Sequence, residues 1–256
     1  MRKTEKKTIS CPTLLAVETS GPTGGVALIQ GGCPAGEATM NSRETYSRRL
    51  MRTAEWLMES LSLGWGDLDL LAVSIGPGSF TGLRIGLSTV KGLAMALGIP
   101  VIGIPTLDAL ASNITACSGD VVCPVMDARR SEIYTAVYAG TASGQLERIT
   151  EYMAVPPADL PGLIPPCERM LLLGDGVGLC DEHVGRAAGS VVRAKEHVSH
   201  ARASAVGILA HERWLKGNAG DDIQAMAPIY VRASAAEEKQ KSKRLQGAAS
   251  AALSGI

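Results

Sequence analysis

The chain has 256 residues, 46% of them apolar, enough to bury a sizeable core, so neither a disordered tail nor a small disulfide-stapled domain fits. Lys plus Arg number 25 and Asp plus Glu number 25, so no net field draws the protein onto nucleic acid or an anionic membrane. One Phe, five Tyr and three Trp are too few for an aromatic base-stacking platform.

The basic start, residues 2–7, leads into an apolar stretch broken by Glu18, Thr19, Ser20, Gly21 and Pro22, so residues 1–10 read as a frayed extension rather than a secretory leader. Residues 13–17 and 26–29 read as a hairpin, continued by 37–40. From Tyr46 the period becomes helical, with Leu50, Ala54, Leu57 and Leu61 on one stripe and Gly64 as the stop. An apolar strand at 70–75 runs into Gly76-Pro77-Gly78-Ser79-Phe80-Thr81-Gly82, then a helix to Leu97 and a strand at 101–104. The second half restarts the pattern with strands at 121–126, 133–138 and 145–152. A Pro-rich stretch at 155–166, a strand at 170–173 before Gly174-Asp175-Gly176, a short strand at Val191 and Val192, and a helix at 203–215 follow. This order predicts two α/β lobes, 1–112 and 113–232, with 233–256 too poor in apolar residues to fold.

Six cysteines with no Cys-x-x-Cys predict reduced thiols in the cytoplasm, and no apolar run approaches the roughly 18 residues of a membrane-spanning helix. The four histidines, His183, His197, His200 and His211, read as solvated loop residues rather than metal ligands.

The glycine turn at 76–82 has two readings. Free N–H groups at a helix start, at Gly76, Gly78 and Ser79, favour an anion, whereas Ser79 or Thr81 capping the helix makes it a tight structural turn. Glu18, Thr19 and Ser20 after the first strand, and Asp127 after the first strand of the second lobe, are candidates for a Mg-nucleotide site or else plain turn formers. Gly174-Asp175-Gly176 either lines an adenosine pocket or turns a strand into a helix. The helix after the glycine turn carries only Arg84 and Lys91 as charges between residues 83 and 97, so it is expected to have neighbours on two sides. Its small residues Gly82 and Gly86 would admit another backbone. Trp56, with Arg49 and Arg52 beside it, lies opposite the Leu50/Leu57 stripe and is either an interface anchor or a surface-lying ring.

The string Ser74-Ile75-Gly76-Pro77-Gly78-Ser79-Phe80-Thr81-Gly82-Leu83-Arg84-Ile85-Gly86-Leu87 resembles the TsaB/YeaZ family. So do Val17-Glu18-Thr19-Ser20, Asp127-Ala128-Arg129-Arg130-Ser131-Glu132-Ile133-Tyr134 and the closing Pro228-Ile229-Tyr230-Val231-Arg232. The resemblance implies two actin/Hsp70-like (ASKHA, RNase H-like) lobes. It also implies a non-catalytic scaffold in the bacterial pathway that places N6-threonylcarbamoyladenosine (t6A) at position 37 of tRNA. Expected partners are TsaD, the transferase paralogue, then TsaE with ATP and Mg²⁺ acting only through the complex, tRNA through the complex, and a second copy when alone. The expected contact residues are Leu50, Trp56, Leu57, Gly82, Arg84, Ile85, Gly86, Thr89, Val90 and Leu93, on helices 46–61 and 83–97.

TsaD-like proteins carry a His-x-x-x-His metal pair where this chain has Thr106 and Leu110, neither of which supplies a nitrogen ligand. The family's usual Asp is Glu18 here, and its usual His-Ser-x-x-Leu is Tyr46-Ser47-Arg48-Arg49-Leu50. An independent ATPase or phosphotransferase built on Glu18 and Asp127 is the alternative function, and an M22-type metalloprotease a more distant one.

Overall fold

Continuous apolar runs fold here as central strands covered on both faces. The structure, a computed structural model, describes residues 11–42, 45–185 and 188–231. The first sheet contains β1 (Thr13–Glu18), β2 (Thr23–Gln30) and β3 (Cys33–Asn41), followed by α1 (Tyr46–Ser60), β4 (Leu70–Ser74), α2 (Phe80–Leu97) and β5 (Val101–Ile104). Its order is β3-β2-β1-β4-β5, antiparallel through the meander and parallel from β1 to β4 to β5. Leu15 and Val17 of β1 face a core closed by Leu50, Ala54, Leu57 and Met58 of α1 and by Leu87, Val90 and Ala94 of α2. Each large apolar side chain so buried contributes about 1.5–3 kcal/mol. Leu14 and Ala16 face the opposite core.

A short helix, α3 (Thr106–Ala111), precedes the second sheet. There follow β6 (Asp120–Arg129), β7 (Glu132–Thr135), β8 (Tyr138–Gly140), β9 (Leu146–Arg148), β10 (Met153–Val155), α4 (Leu160–Leu163), β11 (Arg169–Leu173), α5 (Val177–Cys180), β12 (Ser190–Arg193) and α6 (Ala203–Leu215). The order β10-β7-β6-β11-β12 repeats the first sheet strand for strand, with the same two antiparallel and two parallel pairings. This duplicated five-strand pattern is the expected two-lobed actin/Hsp70-like architecture.

Three sequence expectations change. The strand expected at 133–138 is interrupted, although Val125↔Thr135 and Val122↔Tyr138 keep one register; the gap lies opposite Pro124, which has no N–H to give the ladder. The strand expected at 145–152 is shortened to β9, and beyond it Thr150 Oγ1, not a backbone carbonyl, accepts from the Val137 N–H at 2.9 Å. Residues 106–111, read only as vacant ligand positions, form α3.

Each sheet is built from one side of residue 113, but two helices pack onto the other sheet. Assigned by sequence to 1–112, α3 sends Leu107, Leu110 and Ala111 into the core of the second sheet with Val122, Tyr138 and Leu173. Its Asp108 Oδ1 accepts from Tyr138 Oη at 2.6 Å and Tyr152 Oη at 2.9 Å. Conversely α6, assigned to 113–232, covers the first sheet with Ala203, Val206 and Ala210 packed against Ile29 and Ile102. Glu37 of β3 anchors its start, accepting from Ser204 N and Oγ and pairing with Arg202. The two lobes are therefore latched by exchanged helices. His211, expected to be solvated, is buried on α6 with its ring against Gly32. All six cysteines are free thiols, and burial pushes Cys123 above its usual range. No helix among the described residues is long and apolar enough to cross a membrane. The extension 1–10 and the tail 233–256 lie outside the described residues.

Candidate functional site

Between the lobes lies a cleft of about 590 Å³, walled by Ser20, Gly21 and Pro22 of the β1–β2 turn, Gly78 to Phe80 of the glycine turn, Asp127 to Arg130, Asp175, and Ile229 to Val231. Of the sequence candidates for a nucleotide site, Ser20, Gly78, Ser79 and Asp127 line this cleft, while Glu18, Thr19 and Gly76 do not. Their geometry, however, fits a locked turn and not a phosphate cradle.

Glu18, Thr19 and Ser20 are 0%, 0% and 1% exposed. The Glu18 carboxylate folds back on its own strand end, where Oε1 accepts from the Ser20 N–H and hydroxyl. Desolvation raises its pKa, against the opposing effect of those bonds. Burial, with the Glu18 charge next, also pushes the neighbouring Tyr46 phenol up to about 12, and the phenol donates to Gly21 O at 2.8 Å.

The glycines expected to admit a phosphate or a partner admit the chain's own loop. A Cβ on Gly78 would lie 2.5 Å from Ser20 O, one on Gly82 would lie 2.0 Å from Thr19 O, and one on Gly86 would lie 2.2 Å from Thr19 Oγ1. Ser79 N donates to Ser20 O at 2.6 Å, and Ser79 Oγ caps α2 by accepting from Gly82 N at 3.3 Å. The start of α2 is closed by its own cap and by the β1–β2 turn. Across the cleft, Asp127 accepts from Arg129 N at 2.7 Å and pairs with its guanidinium at 3.0 Å, while Asp175 Oδ1 accepts from Asp127 N at 3.1 Å. Arg129, Arg130 and Ser131 all have left-handed backbone, φ 64°, 55° and 62°, which tightens this hairpin. The donor set does not fit a Mg-nucleotide site of the chain's own: Glu18 is sealed off and Asp127 is committed to its hairpin. Thr106 and Leu110 are buried at 0% and 1%, so the position of the paralogue's metal pair is filled by core packing.

The expected contact residues divide. Leu50, Leu57 and Val90 belong to the chain's own core, and Leu93 packs against it, so these four are corrected from contact residues to structural ones. Gly82 and Gly86 are corrected likewise, because they face Thr19. Arg84 is held by two aromatic residues: its guanidinium lies 3.7 Å from the Phe80 ring centroid, and its Nε donates to Tyr230 Oη at 3.0 Å. Within the chain itself α2 has one covered face and one open face. Ser88, Gly92, Met95 and Ala96 are exposed there, Ile85 and Thr89 are half-buried, and nothing lies within 4 Å of a Cβ built on Gly92. Trp56 is 59% exposed and Met95 70%. Sequence reasoning missed Met95, although a helical wheel with Gly86 and Val90 inward places it outward. It also missed the Tyr230 clamp, which joins residues 146 apart in the chain.

Comparison with known proteins follows this geometry. The chain is 30% identical over 231 residues to the tRNA threonylcarbamoyladenosine biosynthesis protein TsaB of Bacillus subtilis, covering 89% of this chain and 97% of that one. The chain belongs to the TsaB/YeaZ family. A broader family model, described as TsaD: tRNA N6-adenosine threonylcarbamoyltransferase, matches residues 40–240. TsaB of Escherichia coli is 32% identical over 132 residues, 51% of this chain and 57% of that one. The solved structure titled YeaZ from Pseudomonas aeruginosa superposes with a TM-score of 0.73 at 25% identity, covering 86% of this chain and 99% of that one. In this TsaB-family chain the glycine string therefore serves the fold, tying α2 to the first turn.

Proposed function

We propose that the protein is a non-catalytic subunit of cytoplasmic tRNA t6A synthesis, docking a TsaD-type transferase through the outer faces of α1 and α2. TsaE, with ATP and Mg²⁺, and tRNA join through that complex. The observation that carries the reading is the open face of α2, where small residues at 88, 92 and 96 leave room for a partner helix and Met95 stands out 70% exposed. Small residues at a crossing let two helices approach closely. Family membership supplies the pathway, since the B. subtilis and E. coli relatives are named for threonylcarbamoyladenosine biosynthesis.

The test uses the full chain with the TsaD protein of the same organism. Met95→Glu and Gly92→Arg alter only the open face, so their melting temperatures are expected to match the parent or, for Gly92→Arg, to exceed it, while co-elution with TsaD and threonylcarbamoyl transfer to tRNA are lost. Retention of a stoichiometric complex by both variants overturns the reading. The alternative of an independent ATPase is opposed by the sealed Glu18 carboxylate. Hydrolysis of ATP by the isolated chain, abolished by Asp127→Ala, would favour it.

A further inference from the structure

The flank of α1 facing β3 carries a groove of its own, away from the α2 face on which the proposed docking rests. It lies between α1 and β3, has a volume of about 560 Å³, and is lined by Ala38, Met40, Arg49, Arg52, Thr53 and Trp56. Since β3 is the outer strand of the first sheet, its far edge pairs with no other strand among the described residues. An open edge next to an apolar groove can accept an extended peptide as an added strand.

Arg49 gives the groove its chemistry. It is only 4% exposed, yet its Nη1 has no hydrogen-bond partner. Its guanidinium rests 4.4 Å from the centroid of the Tyr46 ring, beside the phenol, and no carboxylate among the described residues pairs with it. Glu18, on the other side of Tyr46, bonds Ser20 through Oε1, keeps Oε2 without a hydrogen-bond partner and forms no ion pair with Arg49. No ion pair among the described residues holds this buried guanidinium, and a carboxylate brought to Nη1 would give it an acceptor. Trp56, 59% exposed at the rim, adds a flat apolar surface next to this cation.

We propose that this groove binds an extended acidic segment of a partner protein, which adds as a strand along β3, lays an apolar side chain on Trp56 and delivers a carboxylate to Arg49. A carboxylate on a slender side chain reaches a recessed cation better than a phosphodiester, whose charge is flanked by bulky sugars.

The probe is a capped, fluorescein-labelled nonapeptide in which valine and glutamate take turns at every second position with threonine between them, so that both point to one face of the strand, titrated into the ¹⁵N-labelled full chain, with its glutamine counterpart and a short single-stranded RNA as controls. The glutamate peptide is expected to bind with shifts confined to β3, α1 and the Trp56 indole. The glutamine peptide, Arg49→Met and Trp56→Ala are each expected to weaken binding about tenfold or more, while melting of the Trp56→Ala protein stays unchanged. If Arg49→Met fails to fold, Trp56→Ala alone decides. Failure of the glutamate peptide to bind, equal binding of the glutamine peptide, shifts elsewhere, or displacement of the peptide by RNA each overturns the proposal. The outcome is independent of TsaD docking, which the α2 variants test separately.

Discussion

Thr19 and Gly86 share one space: a Cβ on Gly86 would come 2.2 Å from Thr19 Oγ1. The end of β1 and the second turn of α2 are thereby held in contact, and the motif that marks the family is read as a packing device.

Gly86→Ala is therefore expected to destabilise by about 1–3 kcal/mol through overpacking, even though alanine favours the helix by roughly 1 kcal/mol. In Thr19→Ala/Gly86→Ala much of that loss is recovered, because the obstructing hydroxyl and methyl are gone. Gly82→Ala meets the Thr19 carbonyl oxygen, which no side-chain change removes, so Thr19→Ala does not rescue it. Urea unfolding of the two double-mutant cycles checks the contrast, and equal coupling in both would contradict it.

Glu18 sets a pH dependence. Its folded-state pKa is raised by burial above the ordinary 4.5. Between those two values the native state holds the proton more tightly than the unfolded chain, so stability falls as pH rises from 4.5 toward the folded value. Glu18→Gln keeps an oxygen acceptor for Ser20 and removes the titration. Its melting temperature is expected to gain on the parent across that window and to run parallel to it below pH 4.5. A constant difference at every pH would sink this.

Asp120 has the opposite sign. Hydrogen bonds from Arg169, Nε at 2.9 Å and Nη2 at 2.5 Å, hold its carboxyl below the ordinary 3.8, with the Cys117 N–H also donating. The stability from this link between β6 and β11 is present above pH 3.8 and is lost as pH falls through the folded value. Asp120→Asn should flatten the acid limb of the stability profile below pH 4, read by denaturant titration, and leave the Glu18 window untouched.

Asp108 ties α3 to the second sheet by accepting from two tyrosines. Burial, with the Asp108 charge next, drives the Tyr138 phenol well above its usual range, so it remains a donor throughout the neutral range. Asp108→Ala leaves Tyr138, 3% exposed, without that acceptor and is expected to cost about 1–3 kcal/mol. Hydrogen exchange should then rise first in α3 and the β8–β9 hairpin. Uniform loss of protection over both lobes would speak against a local latch.

Much of the fold was legible from local pattern. The apolar runs at 13–17, 26–29 and 70–75, the Leu50/Ala54/Leu57 stripe and the stop at Gly98 each follow from periodicity and backbone preference, and each became the element expected. The cleft candidates Glu18, Gly78, Ser79 and Asp127 were identified from position after strands, and all lie at or beside the cleft. Their state was not legible, since nothing local tells whether a carboxylate is free or folded onto Ser20.

The sequence alone determined the strand and helix segments, two repeated α/β sheets, the family and the absence of nitrogen ligands at 106 and 110, because these rest on neighbours within a few residues or on the motif itself. Tertiary structure alone decided that α3 and α6 change lobes, that Gly82 and Gly86 serve Thr19, that Arg84 is clamped by Tyr230 and that Arg49 is buried with no ion pair among the described residues. Such contacts join residues tens to well over a hundred positions apart, and their energy depends on which surfaces meet, a quantity that periodicity does not encode.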